Sequence, residues 1–183
     1  MDLVARAFGV AGSLGTNPQE FILRSTGLWA LVLLLVTLGV TPLRRFTNWV
    51  EVLRVRRMLG LWVFAYAVIH ATAFWAFEHD FSVAAMAADS LKRPFVTVGL
   101  LSFLALVPLA MTSNTVAMRW LGPRWKKLHR VVYAIAVLAC IHFFLHRAGK
   151  NNTFDPAVAT AVLATLLALR GWWSWRARRR LAG

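Results

Sequence analysis

Long stretches without charge set the main constraint on how this chain can fold. Asp, Glu, Lys and Arg are absent from residues 25–43, 58–77, 94–118, 131–146 and 156–169. The last two stretches are shorter, but residues 128–130 extend the fourth, and the fifth reaches full length if Arg170 snorkels towards water beside a tryptophan-rich end. Each then approaches the ~20 residues that a helix needs to cross a hydrocarbon core. An open strand edge has no hydrogen-bond partner in lipid, so all five stretches are predicted to be helical.

The sequence therefore predicts an all-α integral membrane protein in which residues 1–183 form a single domain. The expected spans are about 26–43, 59–77, 95–112, 129–147 and 156–175. Thr41-Pro42 is expected to end the first span, because a proline disfavours helical geometry in the residue before it. Pro94 and Pro156 suit the first turns of the third and fifth spans. The loop at 78–93 has room for a short surface helix.

The N-terminal segment differs from these spans. Residues 7–19 are uncharged but few, and Gly9, Gly12 and Gly15 weaken the segment as a helix. The segment also lacks the basic start and compact apolar stretch of a signal peptide. We therefore expect an N-terminal stub in addition to five full spans.

The basic residues predict the orientation in the membrane. Most of the 21 Lys and Arg lie in residues 44–57, 112–130 and 170–180, which fall on one side of the bilayer if five helices alternate. Glu51 is the only one of the seven acids on that side. Because Lys and Arg in short loops stay in the cytoplasm, these segments and the C-terminus are expected there. Topology and contact with anionic lipid thus explain the net charge of +14 without any nucleic acid.

Several classes of protein find no support in the sequence. No G-x-G-x-x-G or P-loop motif is present, so any electron donor must be a separate partner or a membrane quinone. The spans contain neither the paired carboxylates of hydrolytic enzymes nor the mid-membrane Asp or Glu typical of proton-coupled transporters. Cys140 is the one cysteine and lies within a span, which excludes an intrachain disulfide and indicates a packed core thiol.

His70 and His142 are the strongest functional candidates, because an ionisable group inside a span is costly and usually marks function. At 1.5 Å per residue, His70 lies ~18 Å along its helix from Met58, and His142 lies ~20 Å from His129. Both helices run outward from the cytoplasmic side, so the two imidazoles are expected at similar depth. Two such imidazoles on different helices are suited to be the axial ligands of a b-type haem. The alternative is a pair of structural, hydrogen-bonded histidines.

His129 is a candidate ligand for a second haem near the inner face. Thirteen residues place it ~140° around the helix from His142, so a bend or an irregular first turn would have to align the two side chains. The position thirteen residues before His70 is Arg57. The second ligand of such a haem therefore stays open, with Met58 as a chemically competent neighbour.

Other candidates lie at the ends of these helices. His146 is one turn beyond His142 and is an alternative axial ligand, whereas His79, between two acids in the outer loop, is expected to be solvated. Haem propionates need cationic or hydrogen-bonding partners. Arg93, just before Pro94, is placed to meet them at the outer face. On the inner side the available cations are Arg44, Arg45, Arg57 and Lys126.

Several segments in combination resemble a known family. They are Asn17-Pro18, Thr26-Gly27, LGVTPLR at 38–44, RRMLGLW at 56–62 leading to His70, KRPFVTVG at 92–99, LGPRW at 121–125, and Leu128-His129 followed by His142. This combination is similar to the MsrQ (YedZ) family of haem-binding membrane subunits of bacterial methionine sulfoxide reductase systems. That family lies within the ferric-reductase-like transmembrane superfamily. The resemblance covers roughly residues 12–175.

The resemblance implies a b-type cytochrome in the bacterial inner membrane, an electron-transfer subunit that does not itself transform a substrate. Its donor would be the quinone pool or a cytoplasmic flavin reductase. Its acceptor would be the periplasmic molybdopterin enzyme MsrP, which reduces methionine sulfoxide in oxidised proteins. His70 and His142 match the family's outer haem pair, and His129 matches its third histidine. FMN is also associated with the family, and six spans are usual in it.

Two other functions remain open on the sequence. One is a stand-alone ferric or quinone reductase of the same superfamily, which would need no periplasmic partner. The other is a non-redox membrane scaffold or transporter with structural histidines, which would be colourless. If a partner docks, the outer loops at 78–94 and 147–156 are the expected surface, because they face the periplasm.

Overall fold

Helices account for almost all of the chain in the computed structural model, which describes residues 17–149 and 153–182. The helices are α1 (Pro18–Thr47), α2 (Val52–His79), α3 (Val83–Lys92), α4 (Pro94–Met111), α5 (Thr115–Leu121), α6 (Pro123–His129), α7 (Val132–Ala148) and α8 (Phe154–Ala182). No β-strand occurs in the described residues. The prediction of an all-α protein is confirmed.

Among these residues, five helical segments are long and apolar enough to cross a membrane. They are Pro18–Thr47, Val52–His79, Pro94–Met111, Pro123–Ala148 and Phe154–Arg180. Many of their large apolar side chains are exposed, as expected of helices whose outer surfaces face lipid. The protein is therefore an all-α integral membrane protein, as predicted, and its described residues contain five such helices. Most of the predicted N-terminal stub at 7–19 lies outside the described residues, and Asn17 caps the start of α1.

Two helix pairs form the body of the bundle. α1 packs along α2 and α4 packs along α7, while α8 lies against α7 and α1. The most deeply buried apolar side chains between them are Leu38, Val63, Ile135, Ala136 and Leu163. Cys140 is buried in the same cluster, which confirms the predicted core thiol. We call the end of the bundle at which α2 finishes and α4 begins the outer end, after the predicted orientation.

The first helix continues past the point at which the sequence predicted its end. α1 runs through Pro42 to Thr47. A proline inside a helix leaves the carbonyl one turn earlier without its N–H donor. That carbonyl belongs to Leu38, and Arg170 of α8 supplies the missing donor, with Nη2 3.0 Å from the Leu38 oxygen. A tertiary contact thus replaces the hydrogen bond that Pro42 removes from α1. The helix continues past Pro42, and the predicted boundary at Thr41-Pro42 is wrong.

Arg170, which is expected from the sequence to snorkel, is half-buried and has two partners within the bundle. Its Nη1 donates to the Tyr133 hydroxyl, and its guanidinium lies 5.0 Å from the centre of the Tyr133 ring. A half-buried guanidinium needs such partners, because an unpaired charge that is removed from water is unfavourable. Arg170 therefore ties α8 to α7 through Tyr133 and to α1 through Leu38.

The fourth span is interrupted just after His129. α6 ends at His129 and α7 begins at Val132. In the connecting turn, the Val131 N–H donates to the Leu128 carbonyl at 3.0 Å, three residues back instead of four. With a ~140° separation, His129 and His142 can align only if the helix has an irregular turn of this kind. Because of the turn, the direction in which the His129 side chain points is not set by α7.

The outer loop contains the predicted short helix, α3. Ser82 caps it by accepting a hydrogen bond from the Ala85 N–H at 3.2 Å. His79, at the end of α2, was expected to be solvated, but only 8% of it is exposed. Its ring packs 4.9 Å from the Phe74 ring, and Asp80 and Phe81 turn the chain back with positive φ, so that α3 reaches His79. Chain reversal, which no local pattern showed, buries this histidine.

Candidate haem site between two helix pairs

The structure brings His70 and His142 together. The ring of His70, on α2, has its centre 6.2 Å from the ring of His142, on α7, and the two planes are inclined by 80°. Each ring lies towards the outer half of its helix, so the prediction of similar depth agrees with the structure. The two pairs α1–α2 and α4–α7 thus meet at their histidines.

Each imidazole is oriented by a backbone carbonyl of the other helix in its pair. His70 Nδ1 lies 3.0 Å from the Leu23 oxygen of α1, and His142 Nδ1 lies 2.7 Å from the Phe95 oxygen of α4. A carbonyl can only accept, so Nδ1 carries the proton in both rings and Nε2 keeps its lone pair for a metal. The sequence separation between carbonyl and histidine is 47 residues in both cases.

A glycine makes room for each ring. Gly27 and Gly99 each lie one helical turn after the residue whose carbonyl accepts the bond. A Cβ on Gly27 would lie 3.0 Å from Cε1 of His70, and a Cβ on Gly99 would lie 2.7 Å from Nδ1 of His142. Any larger residue would push the imidazole away from its carbonyl. The same arrangement of carbonyl, glycine and histidine, which we call the clamp, therefore occurs once in each pair.

The residues present fit a haem better than a bare metal ion. A metal-bound imidazole nitrogen lies about 2 Å from the metal, so two rings that share one metal have centres roughly 6 Å apart. The observed 6.2 Å agrees with this spacing. Within residues 17–149 and 153–182, no group of three or more His, Cys, Asp or Glu could hold a metal ion. Two axial imidazoles suffice for a haem, because the porphyrin supplies the other four ligands.

Arg93 lies at the outer end of this site, but it already has a carboxylate partner. Its Nε and Nη2 donate to the two carboxylate oxygens of Asp89 in a bidentate pair. This hydrogen bonding, aided by the charge of Asp89, raises the pKa of Arg93, so the guanidinium stays charged. Its Cζ also lies 5.6 Å from the centre of the Phe95 ring, which packs 6.1 Å from the His142 ring. A propionate at this end would compete with Asp89 for Arg93.

His129 lies apart from the His70–His142 pair and has other partners. Its Nδ1 lies 3.1 Å from the Trp125 oxygen of its own helix, and its ring stacks on the Trp125 ring at 3.9 Å. Its Nε2, the remaining nitrogen, lies 3.4 Å from the Ser113 hydroxyl. The described residues include no cluster of three metal-binding side chains around it. The structure thus leaves open which residue would face His129 across a second haem.

The remaining predicted residues take up different surroundings. Arg57 donates from Nη2 to the Met118 sulfur at 3.4 Å. Arg57 and Met58 both line an open groove of about 710 Å³ along α2. The His146 ring lies 5.5 Å from the Phe95 ring, which also contacts the His142 ring. None of these contacts brings Arg57, Met58 or His146 between the two clamped imidazoles.

Sequence reasoning missed the glycines and carbonyls of the two clamps. Gly27 and Gly99 were noticed only as parts of segments that resemble a family. The available signal was that each glycine precedes its histidine by the same number of residues. A glycine inside a span is a site of close approach between helices. Leu23 and Phe95 carry no such signal, because they act through backbone oxygens that every residue has.

The chain matches a known protein family. Residues 26–140 match the family described as ferric reductase like transmembrane component. The matched range contains His70, His129 and both clamp glycines, and it ends just before His142. No solved structure matches the chain.

Curated relatives are similar over most of their length. The protein-methionine-sulfoxide reductase heme-binding subunit MsrQ of Herminiimonas arsenicoxydans is 46% identical over 174 residues, which cover 94% of this chain and 80% of that protein. The MsrQ of Ralstonia nicotianae is 46% identical over 173 residues, with the same coverage of 94% and 80%. The MsrQ of Xanthomonas euvesicatoria pv. vesicatoria is 41% identical over 174 residues, covering 95% and 79%.

Proposed function

The chain belongs to the family of the ferric reductase like transmembrane component, and on that basis we propose that it is a b-type cytochrome of the MsrQ kind. It relays electrons across the bacterial inner membrane to a methionine sulfoxide reductase and transforms no substrate itself. The observation that supports this proposal most directly is the His70–His142 pair, whose ring centres are 6.2 Å apart inside the bundle. The relatives' printed name, heme-binding subunit, points to the same cofactor.

In this proposal His70 and His142 hold the haem iron through their Nε2 atoms. The haem, when bound, supplies a one-electron carrier within the hydrocarbon layer. The Leu23 and Phe95 carbonyls hold the protonated Nδ1 atoms, which fixes the rings and raises the basicity of the ligating nitrogens. Both histidines are half-buried between the two helix pairs, which limits the access of water to the ligands. Arg93 is the nearest candidate for a propionate at the outer end.

His129 is proposed as the third histidine of the site, in keeping with the family resemblance. To bind a second haem, its Nε2 would have to exchange the Ser113 hydroxyl, now 3.4 Å away, for iron. Arg57 is then a candidate for the propionates of that haem on the inner side. The proposal therefore contains one haem at the clamped pair and a second at His129 only if this exchange occurs.

The partners follow from the same proposal. The electron donor is the quinone pool or a cytoplasmic flavin reductase, and FMN is a further cofactor of the system. The acceptor is a periplasmic molybdopterin reductase of the MsrP kind, which repairs methionine sulfoxide in oxidised proteins. The C-terminus is proposed to lie in the cytoplasm, and the basic segments at 44–57, 112–130 and 170–180 support this through the positive-inside rule.

A visible spectrum of the detergent-purified protein, oxidised and then reduced with dithionite, tests the cytochrome proposal. A sharp reduced α-band and a pyridine haemochrome count of one or two per chain are expected. His70→Ala and His142→Ala should each abolish the low-spin signal of the outer haem. His146→Ala is the matched control, because it removes an imidazole one turn from His142 and should leave the band in place. A colourless preparation after haem supplementation would contradict the proposal and leave a scaffold or transporter.

The family match also favours a second function, a stand-alone ferric or quinone reductase. That function would use the same haem but no periplasmic reductase. Quinol oxidation by membranes that carry the protein distinguishes the two, with and without the MsrP-like partner. Dependence on the partner is expected here, and undiminished turnover in its absence would favour the stand-alone reductase.

A further inference from the structure

A carboxylate at the outer end connects the two helix pairs. Asp89 of α3 accepts from both Nε and Nη2 of Arg93, and its Oδ2 lies 3.3 Å from Nε2 of His79. His79 ends α2, the helix that carries His70, and Arg93 immediately precedes α4. We call Asp89, Arg93 and His79 the outer clasp.

Two of the three side chains of the outer clasp are largely shielded from solvent, while the Arg93 side chain is 39% exposed. The side chains of Asp89 and His79 are only 16% and 6% exposed. Two further contacts fasten α3 to the start of α4. The Arg93 N–H donates to the Asp89 carbonyl at 2.9 Å, and the Thr97 hydroxyl donates to the Ser90 carbonyl. A bidentate, partly buried pair of this kind is geometrically specific, because the planar guanidinium matches the carboxylate.

The outer clasp is connected to His142 through Phe95. Arg93 lies over the Phe95 ring, with 5.6 Å between its Cζ and the ring centre. The Phe95 carbonyl accepts from His142 Nδ1 at 2.7 Å, and the Phe95 ring packs against both His142 and His146. Any movement of the first turn of α4 therefore moves the acceptor that orients His142.

We propose that Asp89 is a positioning residue for His142: by binding Arg93 and lying against His79 it fixes the first turn of α4, and with it the Phe95 carbonyl that orients the imidazole. The part of this proposal that concerns iron ligation rests on the proposed function. The part that concerns the first turn of α4 does not. The two parts are measured separately below.

Three variants separate positioning from charge. Asp89→Asn removes the charge and the ion pair. Arg93→Lys keeps the charge but loses the bidentate geometry. Asp80→Asn is the matched control, because Asp80 is an exposed carboxylate just past His79, and asparagine tolerates its positive φ of 45°.

Hydrogen–deuterium exchange of residues 93–99 is the first readout and needs no haem. Asp89→Asn and Arg93→Lys should both accelerate exchange in this segment, with Asp80→Asn matching the parent protein. The second readout is the electron paramagnetic resonance spectrum of the oxidised haem, whose g-anisotropy depends on the angle between the two imidazole planes. Both clasp variants should shift its largest g-value in the same direction, and the control should not.

Each result decides the matter. Exchange that stays at the parent level in Asp89→Asn would overturn the proposal, whether or not the protein binds haem. A change in Asp89→Asn without one in Arg93→Lys would show an effect of charge and would also overturn it. Equal changes in Asp80→Asn would attribute the effect to any acid at the outer end and would overturn it too. If the parent protein proves to be haem-free but exchange is altered in both clasp variants, the role of Asp89 in fixing α4 is retained. Only the proposed cytochrome function is then refuted.

Discussion

The pairs α1–α2 and α4–α7 hold their histidines with the same clamp but support it differently. In α1–α2, the Thr26 hydroxyl lies 3.4 Å from His70 Nδ1 in addition to the Leu23 carbonyl. In α4–α7, no such hydroxyl stands beside His142 in the contacts described, and the support comes from the Phe95 ring and the outer clasp behind it. The histidine ring also lies closer to its glycine at Gly99 than at Gly27, since an added Cβ would be 2.7 Å from His142 but 3.0 Å from His70.

This difference indicates which of the two helix pairs is more easily disturbed by a substitution. His70 is held by local contacts with α1, whose start is a regular capped helix. His142 depends on a first turn of α4 that is joined to α3 by the single residue Arg93 and is held in place by that neighbouring helix. Substitutions in or beside α4 should therefore disturb the site more than equivalent substitutions in α1, and the following changes test that ranking.

Gly99→Ala is expected to have the largest effect. The new Cβ would lie 2.7 Å from Nδ1 and 2.8 Å from Cε1 of His142, closer than such atoms can approach. Overpacking of this kind costs about 1–3 kcal/mol and would displace the ring from the Phe95 carbonyl. Most of the haem should be lost, as measured by the pyridine haemochrome count per chain. Full haem content in this variant would refute the clamp in α4–α7.

Arg170→Met should lower the stability of the protein by about 1–3 kcal/mol, because it leaves the Leu38 carbonyl without a donor. This contact belongs to the α1–α2 pair, which it anchors to α8. The double variant with Pro42→Ala sharpens the test, since an alanine at position 42 restores an N–H that can bond the Leu38 carbonyl. Unfolding in detergent should show a smaller loss from Arg170→Met in that background. Equal losses in both backgrounds would mean that the Leu38 contact contributes nothing.

Gly27→Ala is the counterpart of Gly99→Ala and should be milder. Its Cβ would lie 3.0 Å from Cε1 and 3.1 Å from Nδ1 of His70, so a shift of a few tenths of an ångström relieves the contact. We expect a cost of about 1 kcal/mol and partial retention of haem. The same haemochrome assay, run beside Gly99→Ala, measures the ranking. A greater loss from Gly27→Ala would reverse the comparison between the two pairs.

Thr26→Val should have the smallest effect, within about 0.5 kcal/mol. The hydroxyl donates to the Ile22 carbonyl at 2.8 Å, and its 3.4 Å contact with His70 is long. Haem content should be unchanged, with at most a small shift of the midpoint potential in a redox titration. Thr26→Ser, which keeps the hydroxyl, is the control and should titrate like the parent. A loss of haem from Thr26→Val alone would make the hydroxyl, and not the carbonyl, the main support of His70.

Prediction from sequence was most successful where a residue type in a given environment is compatible with few structures or roles. Long uncharged stretches predicted the five apolar helices, and isolated histidines within two of them predicted His70 and His142 as partners. It was wrong where a distant residue changes the outcome of a local rule. Pro42 failed to end α1 because Arg170 bonds the Leu38 carbonyl, and His79 is buried because α3 folds back onto it.

Run length, charge placement and the depth of two imidazoles were thus sufficient to predict the five apolar helices of the described residues and the proximity of His70 and His142, because lipid permits only a backbone that satisfies its own hydrogen bonds. The tertiary structure alone decided how those two histidines are held. The Leu23 and Phe95 carbonyls and the absence of a side chain at Gly27 and Gly99 act only through proximity between helices, and proximity across 47 residues of chain leaves no local sequence pattern.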